Sequence, residues 1–234
     1  MIDSSIVSLP SPDGLGIELW LVNLDHAPEA WSHAVLNKAE TDRAARFRFE
    51  VHARRYRSSH VALRQILGKV TGQSPASLQF NIGNEGKPRL AQLDGPHFNL
   101  SHSARWALIG TCASHPIGVD IEVIKPMSDT AALAQSHFSP AEQAAFLRTP
   151  SEQQLAAFFG CWTRKEACLK ALGSGLTIEP HTFEAGLYTL PRHTTIQIND
   201  QACAMQVSSL IDLPVGGLAA AVAKLVDSRS PGLL

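Results

Sequence analysis

The sequence predicts a mixed α/β fold, because segments rich in strand-forming residues alternate along the chain with segments whose apolar residues recur at helical spacing. The clearest strands run from Ile17 to Leu24 and from Pro116 to Val123. The clearest helices lie between Ala30 and Val70 and between Phe158 and Gly173. A chain of 234 residues, 44% of them hydrophobic, is long enough to bury a core as one domain or as two smaller domains.

Composition excludes several classes of protein. The formal net charge of −1 argues against a globally basic nucleic-acid binder, so any anion site must be a local cluster. The four cysteines show no CxxC pair, which is typical of free thiols in a reducing compartment. No secretory signal is visible, and the longest apolar run, from Leu213 to Ala223, is too short to span a bilayer. We therefore expect a cytoplasmic protein that binds neither nucleic acid nor membrane.

The first half of the chain contains a basic helical region. A strand from Ile17 to Leu24 precedes it, and the region from Ala30 to Val70 is predicted to be helical, with an apolar stripe near its end. Its seven arginines are Arg43, Arg46, Arg48, Arg54, Arg55, Arg57 and Arg64. They form either a solvated face balanced by neighbouring acids or a phosphate clamp, because guanidinium groups match phosphate oxygens in bidentate fashion.

A polar corner is predicted between the two strands that follow. The strand from His97 to Ser103 ends in a dense group of Asn, Ser and His side chains, and strand structure resumes from Arg105 to Thr111. Asn and Ser suit a side-chain-capped turn, so His102 has either a structural or a functional role. Before this corner, the sequence predicts a strand at Leu78–Ile82 and a turn at Gly83–Pro88.

Two carboxylates lie two residues apart on the strand from Pro116 to Val123. Because strand side chains alternate, Asp120 and Glu122 share one face while Ile117 and Val119 point to the other. Such a pair is either the solvated face of an edge strand or a source of two oxygens for Mg²⁺, a hard cation that binds few carboxylates together with phosphates and water.

The stretch from Phe158 to Gly173 is predicted to be a helix that ends at its glycine. Trp162, Glu166 and Lys170 stand four residues apart and therefore form a ladder along one stripe, with Lys165 beside it. This ladder is either a solvated ion pair or a site that offers an aromatic plate, an oxygen ligand and a cation.

The other predicted elements of the second half are short. Ser139 to Glu142 has the form of a capping box that opens a helix to Leu147, and Thr149 to Gln153 is predicted to be a loop. Strands are predicted at Phe183–Tyr188, Thr195–Ile198, Met205–Leu210 and Gly217–Val226, the last of them despite an alanine content that favours helix. Residues 228–234 are expected to form a frayed tail.

Taken together and in this order, the motifs closely resemble those of the 4′-phosphopantetheinyl transferases, in particular the larger, surfactin-synthetase-activating type. The matching segments are Gly86-Lys87-Pro88, Phe98-Asn99-Leu100-Ser101-His102-Ser103, Ile117-Gly118-Val119-Asp120-Ile121-Glu122 and Trp162-Thr163-Arg164-Lys165-Glu166-Ala167-Cys168-Leu169-Lys170. The resemblance implies two similar α/β subdomains related by pseudo-twofold symmetry, with coenzyme A in the cleft between them. The halves would be residues 1–115 and 116–234.

The resemblance also implies a reaction, in which phosphopantetheine moves from coenzyme A to a serine of an apo acyl or peptidyl carrier protein and adenosine 3′,5′-bisphosphate is released. Mg²⁺ would be held by Asp120, Glu122 and Glu166. Lys170 and His102 would bind the pyrophosphate, and the coenzyme A site would be completed by Arg43, Arg55, Lys87, Pro88 and Ser101. The proton acceptor would be Glu166, a metal-bound water or Lys165.

By the same resemblance, the partners would be carrier proteins of polyketide, nonribosomal peptide or fatty acid synthases, and the chain would act as a monomer. The carrier would dock between Val123 and Phe159, on a surface that includes Phe138, Phe146 and Leu147. Two alternatives remain at this point: a Mg²⁺-dependent nucleotide pyrophosphate hydrolase, and a non-catalytic module that binds coenzyme A or a carrier protein.

Overall fold

A computed structural model confirms the mixed α/β fold and describes residues 5–26, 33–83, 86–92, 94–173, 178–187, 189–198 and 201–226. The strands are β1 (Ile6–Leu9), β2 (Glu18–Asn23), β3 (Phe80–Ile82), β4 (Pro88–Leu90), β5 (His97–Ser103), β6 (Trp106–Cys112), β7 (Ile117–Val123), β8 (Arg192–Ile198), β9 (Gln201–Ser209) and β10 (Leu218–Leu225). The α-helices are α1 (Lys38–Ala45), α2 (Glu50–Thr71), α3 (Thr130–His137), α4 (Pro140–Arg148) and α5 (Ser151–Leu172). No helix within the described ranges is long and apolar enough to cross a membrane.

Two four-stranded antiparallel sheets form the frame of the molecule. The first has the order β1-β2-β6-β5 and the second the order β7-β10-β9-β8, while β3 and β4 form a separate hairpin. Each sheet is accompanied by one helix of 22 residues, α2 for the first and α5 for the second. The first sheet is drawn from residues 6–112 and the second from residues 117–225. The division of the chain at residues 115 and 116 stays a prediction.

The two sheets pack face to face, and each long helix covers an outer face. On β2, Leu19 and Leu21 join a core that contains residues of both sheets, whereas Val22 packs with α2. Because side chains alternate along a strand, β2 must be apolar on both faces. The same holds for β10, where Val222 lies in the core between the sheets and Ala223 packs against α5. Each large apolar side chain buried in this way contributes about 1.5–3 kcal/mol to folding.

The predicted helix ends are largely confirmed. Ser139 accepts a hydrogen bond from the Glu142 N–H and the Glu142 carboxylate accepts one from the Ser139 N–H, which is the expected capping box at the start of α4. Gly173 adopts a left-handed conformation, with φ of 69°, directly after α5. The loop predicted at Thr149–Gln153 is wrong in part, because α5 already begins at Ser151.

Two predictions about the last strands have opposite outcomes. The alanine-rich segment is a strand, since β10 pairs with β7 on one side and with β9 on the other. The strand predicted at Phe183–Tyr188 is wrong for residues 183–187, which the structure describes as irregular. Their backbone groups are bound by buried side chains instead: Arg164 and Lys165 donate to the carbonyls of Ala185 and Phe183, and Glu142 accepts from the Ala185 N–H. Tyr188 and the predicted tail at residues 228–234 lie outside the described residues.

The β5–β6 hairpin turns through a strained residue. Ala104 has φ of 50°, a left-handed conformation that costs an L-residue about 1–2 kcal/mol relative to glycine. We expect Ala104→Gly to raise the free energy of unfolding by about 1 kcal/mol. Chemical denaturation of the variant and of the wild type checks this, and a less stable variant would contradict it.

Candidate active site

β5 is an edge strand of the first sheet and β7 is an edge strand of the second, and these two strands lie beside each other. Side chains of β5 bind the backbone of β7: the Val119 N–H donates to Asn99 Oδ1 at 2.8 Å, and the Val123 N–H donates to Ser103 Oγ at 3.1 Å. Because these two acceptors lie four residues apart on β5 and the two donors four residues apart on β7, they fix the register of one strand against the other.

In this register, the hydroxyls of β5 face the carboxylates of β7. Ser101 Oγ donates to Asp120 Oδ1 at 2.8 Å, and Ser103 Oγ donates to Glu122 Oε2 at 2.6 Å. Asp120 is only 3% exposed, so its carboxylate does not lie on a solvated edge. The polar residues at every second position of β5 therefore lie opposite the carboxylates at every second position of β7.

Gly118 allows α5 to approach the carboxylate face of β7. A Cβ atom at this position would lie 2.0 Å from the Ala167 carbonyl oxygen and 2.3 Å from the Ala171 nitrogen, both backbone atoms of α5. A glycine in a strand interior permits such a close backbone approach, which any other residue would prevent. Since Glu166 and Lys170 lie on this part of α5, the contact brings them towards Asp120.

Lys170 reaches across this contact into the carboxylate group. Its Nζ lies 2.5 Å from Asp120 Oδ1 and 3.0 Å from Ser101 Oγ. The second carboxylate oxygen, Asp120 Oδ2, is buried and has no hydrogen-bond partner among the described residues. A buried carboxylate oxygen without a partner is costly, so Asp120 Oδ2 is available to a further ligand.

The three carboxyl groups share a desolvated and mutually repulsive environment. Burial raises the pKa of Asp120 and the Lys170 ammonium opposes the rise. Burial likewise raises the pKa of Glu122, which the negative charge of Asp120 raises further. The pKa of Glu166 is raised first by burial and then, against the opposing effect of Lys170, by Asp120 and Glu122. A cation placed between the three groups would relieve both effects.

The carboxylate oxygens of this group are ligands of the type that Mg²⁺ binds. Within the part of the chain that the structure describes, no three His, Cys, Asp or Glu side chains are preassembled to hold a metal ion. Mg²⁺ does not require such a cage, since it is usually bound by one or two carboxylates together with phosphate oxygens and water. Asp120 Oδ2, which has no partner among the described residues, and the neighbouring glutamates supply the hard oxygen atoms that it prefers.

His102 lies within electrostatic reach of this group on the side of α2. Its side chain is exposed, but neighbouring atoms displace part of its hydration, and this desolvation lowers its pKa. The positive charges of Lys170, Arg55 and His52 lower the pKa further. His102 is therefore neutral above its lowered pKa and surrounded by positive charge, an environment that favours an anionic ligand.

The arginines of the basic region divide into two sets. Four are paired with acids within the protein. Arg54 and Arg55 bind Asp25 and Arg57 binds Glu50, as the balanced-face interpretation expects, whereas Arg64 is fully buried against Glu40 and fits neither interpretation. Arg43, Arg46 and Arg48 are exposed near the junction of α1 and α2. Arg55 is bidentate to Asp25, at 2.9 and 2.7 Å, and lowers the pKa of that carboxyl group. Among the described residues, Arg43 is thus exposed for the predicted phosphate contact, whereas Arg55 is engaged by Asp25.

The structure does not leave Lys87 free for a phosphate. Its Nζ donates to the carbonyls of Ile117, Lys170 and Ala171 at 2.8, 2.5 and 3.0 Å, which uses all three donors of an ammonium group. Burial, and then the charge of Arg89, lowers the pKa of Lys87 to about 8. Lys87 therefore connects the end of α5 to the start of β7, and its expected contact with coenzyme A stays a prediction. Pro88 lines a neighbouring cavity of about 400 Å³.

We expect Lys87→Met to lower the free energy of unfolding by about 1–3 kcal/mol, because three carbonyl groups would lose their donor. The affinity for coenzyme A, measured by calorimetry, should change less than threefold. Lys69→Met, at an exposed position near the end of α2, serves as the matched control. A large loss of coenzyme A affinity without a loss of stability would restore the phosphate contact.

Lys165 is not brought to the carboxylate group, so its position does not favour the expected role as a base. It is 1% exposed, and its Nζ binds Glu142 Oε2 at 2.7 Å and the carbonyls of Pro180 and Phe183. Burial alone would raise the pKa of Glu142, but Lys165 and backbone N–H groups overcome this effect and lower it. Lys165 is one residue from Glu166, a rotation of about 100° around the helix, so the two side chains leave α5 in different directions.

The surface expected to receive a carrier protein is also corrected in part. Phe138 and Phe146 are 0% and 2% exposed and pack with Phe158 in the core under α5. Leu147 is 74% exposed and stays available. Sequence spacing could not separate these cases, because Phe158, which covers Phe138, comes from a different helix, α5.

Sequence reasoning missed Gly118, Asn99, Ser103 and Glu142 as residues that shape the site. A glycine inside a predicted strand is a recognised sign of close backbone approach, so Gly118 could have been found. The period-two match between the polar residues of β5 and β7 was also visible. Nothing in the sequence connects Glu142 with Lys165.

Two family models match the chain. The one described as "4′-phosphopantetheinyl transferase, N-terminal" matches residues 25–114, and the one described as "4′-phosphopantetheinyl transferase superfamily" matches residues 116–223. The chain is 38% identical over 179 residues to the 4′-phosphopantetheinyl transferase HetI of Nostoc sp., which covers 72% of this chain and 75% of the relative.

Two relatives from Bacillus extend the comparison. The 4′-phosphopantetheinyl transferase psf-1 of Bacillus pumilus is 36% identical over 169 residues, which is 71% of each chain. The 4′-phosphopantetheinyl transferase Sfp of Bacillus subtilis is 30% identical over 155 residues, 65% of this chain and 67% of the relative. These matches and the geometry of β5, β7 and α5 lead to one conclusion: the chain belongs to the 4′-phosphopantetheinyl transferase family, and within it to the Sfp-like type.

Proposed function

We propose that this chain transfers 4′-phosphopantetheine from coenzyme A to a serine of an apo carrier protein and releases adenosine 3′,5′-bisphosphate. The observation that carries the proposal is the convergence of β5, β7 and α5, which places Asp120, Glu122, Glu166 and Lys170 in one desolvated group. Membership of the family supports the transfer, and the residue chemistry supports the use of a diphosphate substrate.

Asp120, Glu122 and Glu166 would hold Mg²⁺, and Asp120 Oδ2 is the oxygen that has no partner within the described ranges. When bound, the metal would supply charge neutralisation at the pyrophosphate oxygens. Lys170 and His102 would bind the same pyrophosphate, and Ser101 would hold Asp120 and Lys170 in place through its hydroxyl. The enzyme's own contribution is therefore positioning and electrostatic stabilisation, as expected for transfer of a phosphoryl group.

In the reaction, the serine oxygen of the carrier protein bonds to the phosphorus that bears pantetheine, and the bond from that phosphorus to the bridging oxygen breaks. The bridging oxygen leaves with adenosine 3′,5′-bisphosphate. The serine proton passes to a base. Of the two side-chain candidates Glu166 is the better placed, because it lies in the carboxylate group whereas the Lys165 ammonium binds Glu142 and points elsewhere.

The nucleotide would lie towards α1, α2 and the hairpin of β3 and β4. Arg43 is exposed for a phosphate contact, whereas Arg55 would have to share its guanidinium with Asp25. Pro88 would line the cavity beside the nucleobase. The carrier protein, of a polyketide, nonribosomal peptide or fatty acid synthase, would contact the region of Leu147. We propose that the chain acts as a monomer in the cytoplasm.

Mass spectrometry of a carrier protein tests the proposal directly. The wild-type chain is incubated with coenzyme A, Mg²⁺ and an apo carrier protein, and the expected product is the carrier with the added phosphopantetheine. Release of adenosine 3′,5′-bisphosphate in the absence of a carrier would favour a hydrolase. Tight binding of coenzyme A with no product on a panel of carriers would favour a binding module.

A further inference from the structure

Ser103 lies at the end of β5, directly before the strained turn at Ala104. Its hydroxyl makes two hydrogen bonds: the Oγ–H donates to Glu122 Oε2 at 2.6 Å, and the oxygen accepts the Val123 N–H at 3.1 Å. One hydroxyl therefore binds both the side chain of Glu122 and the backbone of the next residue.

This arrangement fixes the direction of the Glu122 carboxylate. A hydroxyl that accepts from a backbone N–H is held in place by the strand itself, so the hydrogen that it donates has a defined direction. Asn99 holds β7 in the same register through Val119, which prevents β7 from sliding relative to Ser103. The left-handed Ala104 ends β5 immediately afterwards, and strain of this kind is found where the surrounding structure fixes a functional residue.

Glu122 needs such a support more than Asp120 does. Asp120 is almost fully buried and is bound by Ser101 and Lys170, whereas Glu122 is half-buried and is repelled by the charge of Asp120. A long, half-buried side chain next to like charges can turn its carboxylate towards solvent. Among the hydrogen bonds of the described residues, the one from Ser103 holds the Glu122 carboxylate on the side of Asp120.

We propose that Ser103 is a positioning residue that orients Glu122 as a ligand for the divalent cation of the transfer reaction. This inference rests on the proposed function, since it requires that the carboxylate group binds Mg²⁺. Hydrogen-bond partners of metal ligands orient the ligand, and their removal typically weakens metal affinity or activity 10- to 100-fold.

The test measures Mg²⁺ binding without turnover. Mg²⁺ is titrated by calorimetry into the whole chain saturated with coenzyme A, in the absence of a carrier protein. We expect Ser103→Ala to weaken Mg²⁺ binding about 10-fold, and Ser103→Thr, which keeps the hydroxyl, to restore it. In the transfer assay, the Mg²⁺ concentration for half-maximal rate should rise by the same factor, while the KM for coenzyme A at saturating Mg²⁺ stays within twofold.

Ser208→Ala removes a buried hydroxyl from β9, away from the carboxylates, and is the matched control. Ser103→Cys fills the same space with a weak donor, so it should lose Mg²⁺ affinity as Ser103→Ala does even where the alanine variant folds poorly. Wild-type Mg²⁺ affinity in a folded Ser103→Ala or Ser103→Cys chain, with or without a lower melting temperature, would overturn the inference and leave the proposed function intact. Absence of Mg²⁺ binding in the wild type would overturn both.

Discussion

Gly118→Ala is expected to abolish transfer and to destabilise the chain, although it adds a single methyl group. That methyl would lie 2.0 Å from one backbone atom of α5 and 2.3 Å from another, so no side-chain rotation can relieve the overlap. Either β7 or α5 must move, and the movement separates Glu166 and Lys170 from Asp120. Overpacking of this kind costs about 1–3 kcal/mol, and backbone overlap places Gly118→Ala at or above the upper end.

The measurement is thermal unfolding together with the carrier-protein assay. Gly216→Ala is the matched control, because a Cβ atom there has no neighbour within 4 Å in the described part of the chain and the glycine has no left-handed backbone conformation. We expect the control to keep wild-type activity and to melt within about 2 °C of the wild type. A Gly118→Ala chain that is fully active would show that the separation of α5 and β7 does not control the site.

Asp120→Asn is expected to lower the transfer rate at least about 100-fold, because the metal contributes several kcal/mol of charge stabilisation and each 1.36 kcal/mol is a factor of ten. The substitution keeps the shape and the acceptor at Oδ1, removes the charge and replaces the acceptor Oδ2 by an amide donor. It should not lower stability at neutral pH. Because the pKa of Asp120 is raised in the folded chain, ionisation of this carboxyl group above that pKa lowers the free energy of unfolding. The amide does not ionise, so it removes this cost.

Single-turnover transfer and thermal unfolding at pH 7 check the two parts separately. Asp42→Asn provides the control, since Asp42 forms an exposed ion pair with Lys38 that contributes little to stability. Glu166→Ala should reproduce the loss of transfer. If Asp120→Asn turned over at the wild-type rate, the carboxylates would not be the metal site; if it unfolded at a much lower temperature, Asp120 would be a structural acid.

Local sequence determined much of the fold. The alternation of Val, Ile and Leu on β2 and β7, the capping box at Ser139 and the glycine after α5 each depend on residues within one or two turns of each other, and the structure has all of them. The ordered motifs also determined the family. The prediction that Asp120 and Glu122 share one face of β7 was confirmed for the same reason: strand geometry alternates regardless of what lies nearby.

Tertiary structure alone decided which polar residues are available. Lys87 and Lys165 lie within matching motifs, yet both ammonium groups bind carbonyls or a carboxylate supplied by distant segments. The opposite holds for Gly118 and Ser103, whose importance comes from Ala167 on α5 and Glu122 on β7. A motif specifies which groups a chain carries, but hydrogen bonding and steric contact act between groups that folding brings together. The partner of each side chain is therefore a property of the packed sheets and helices.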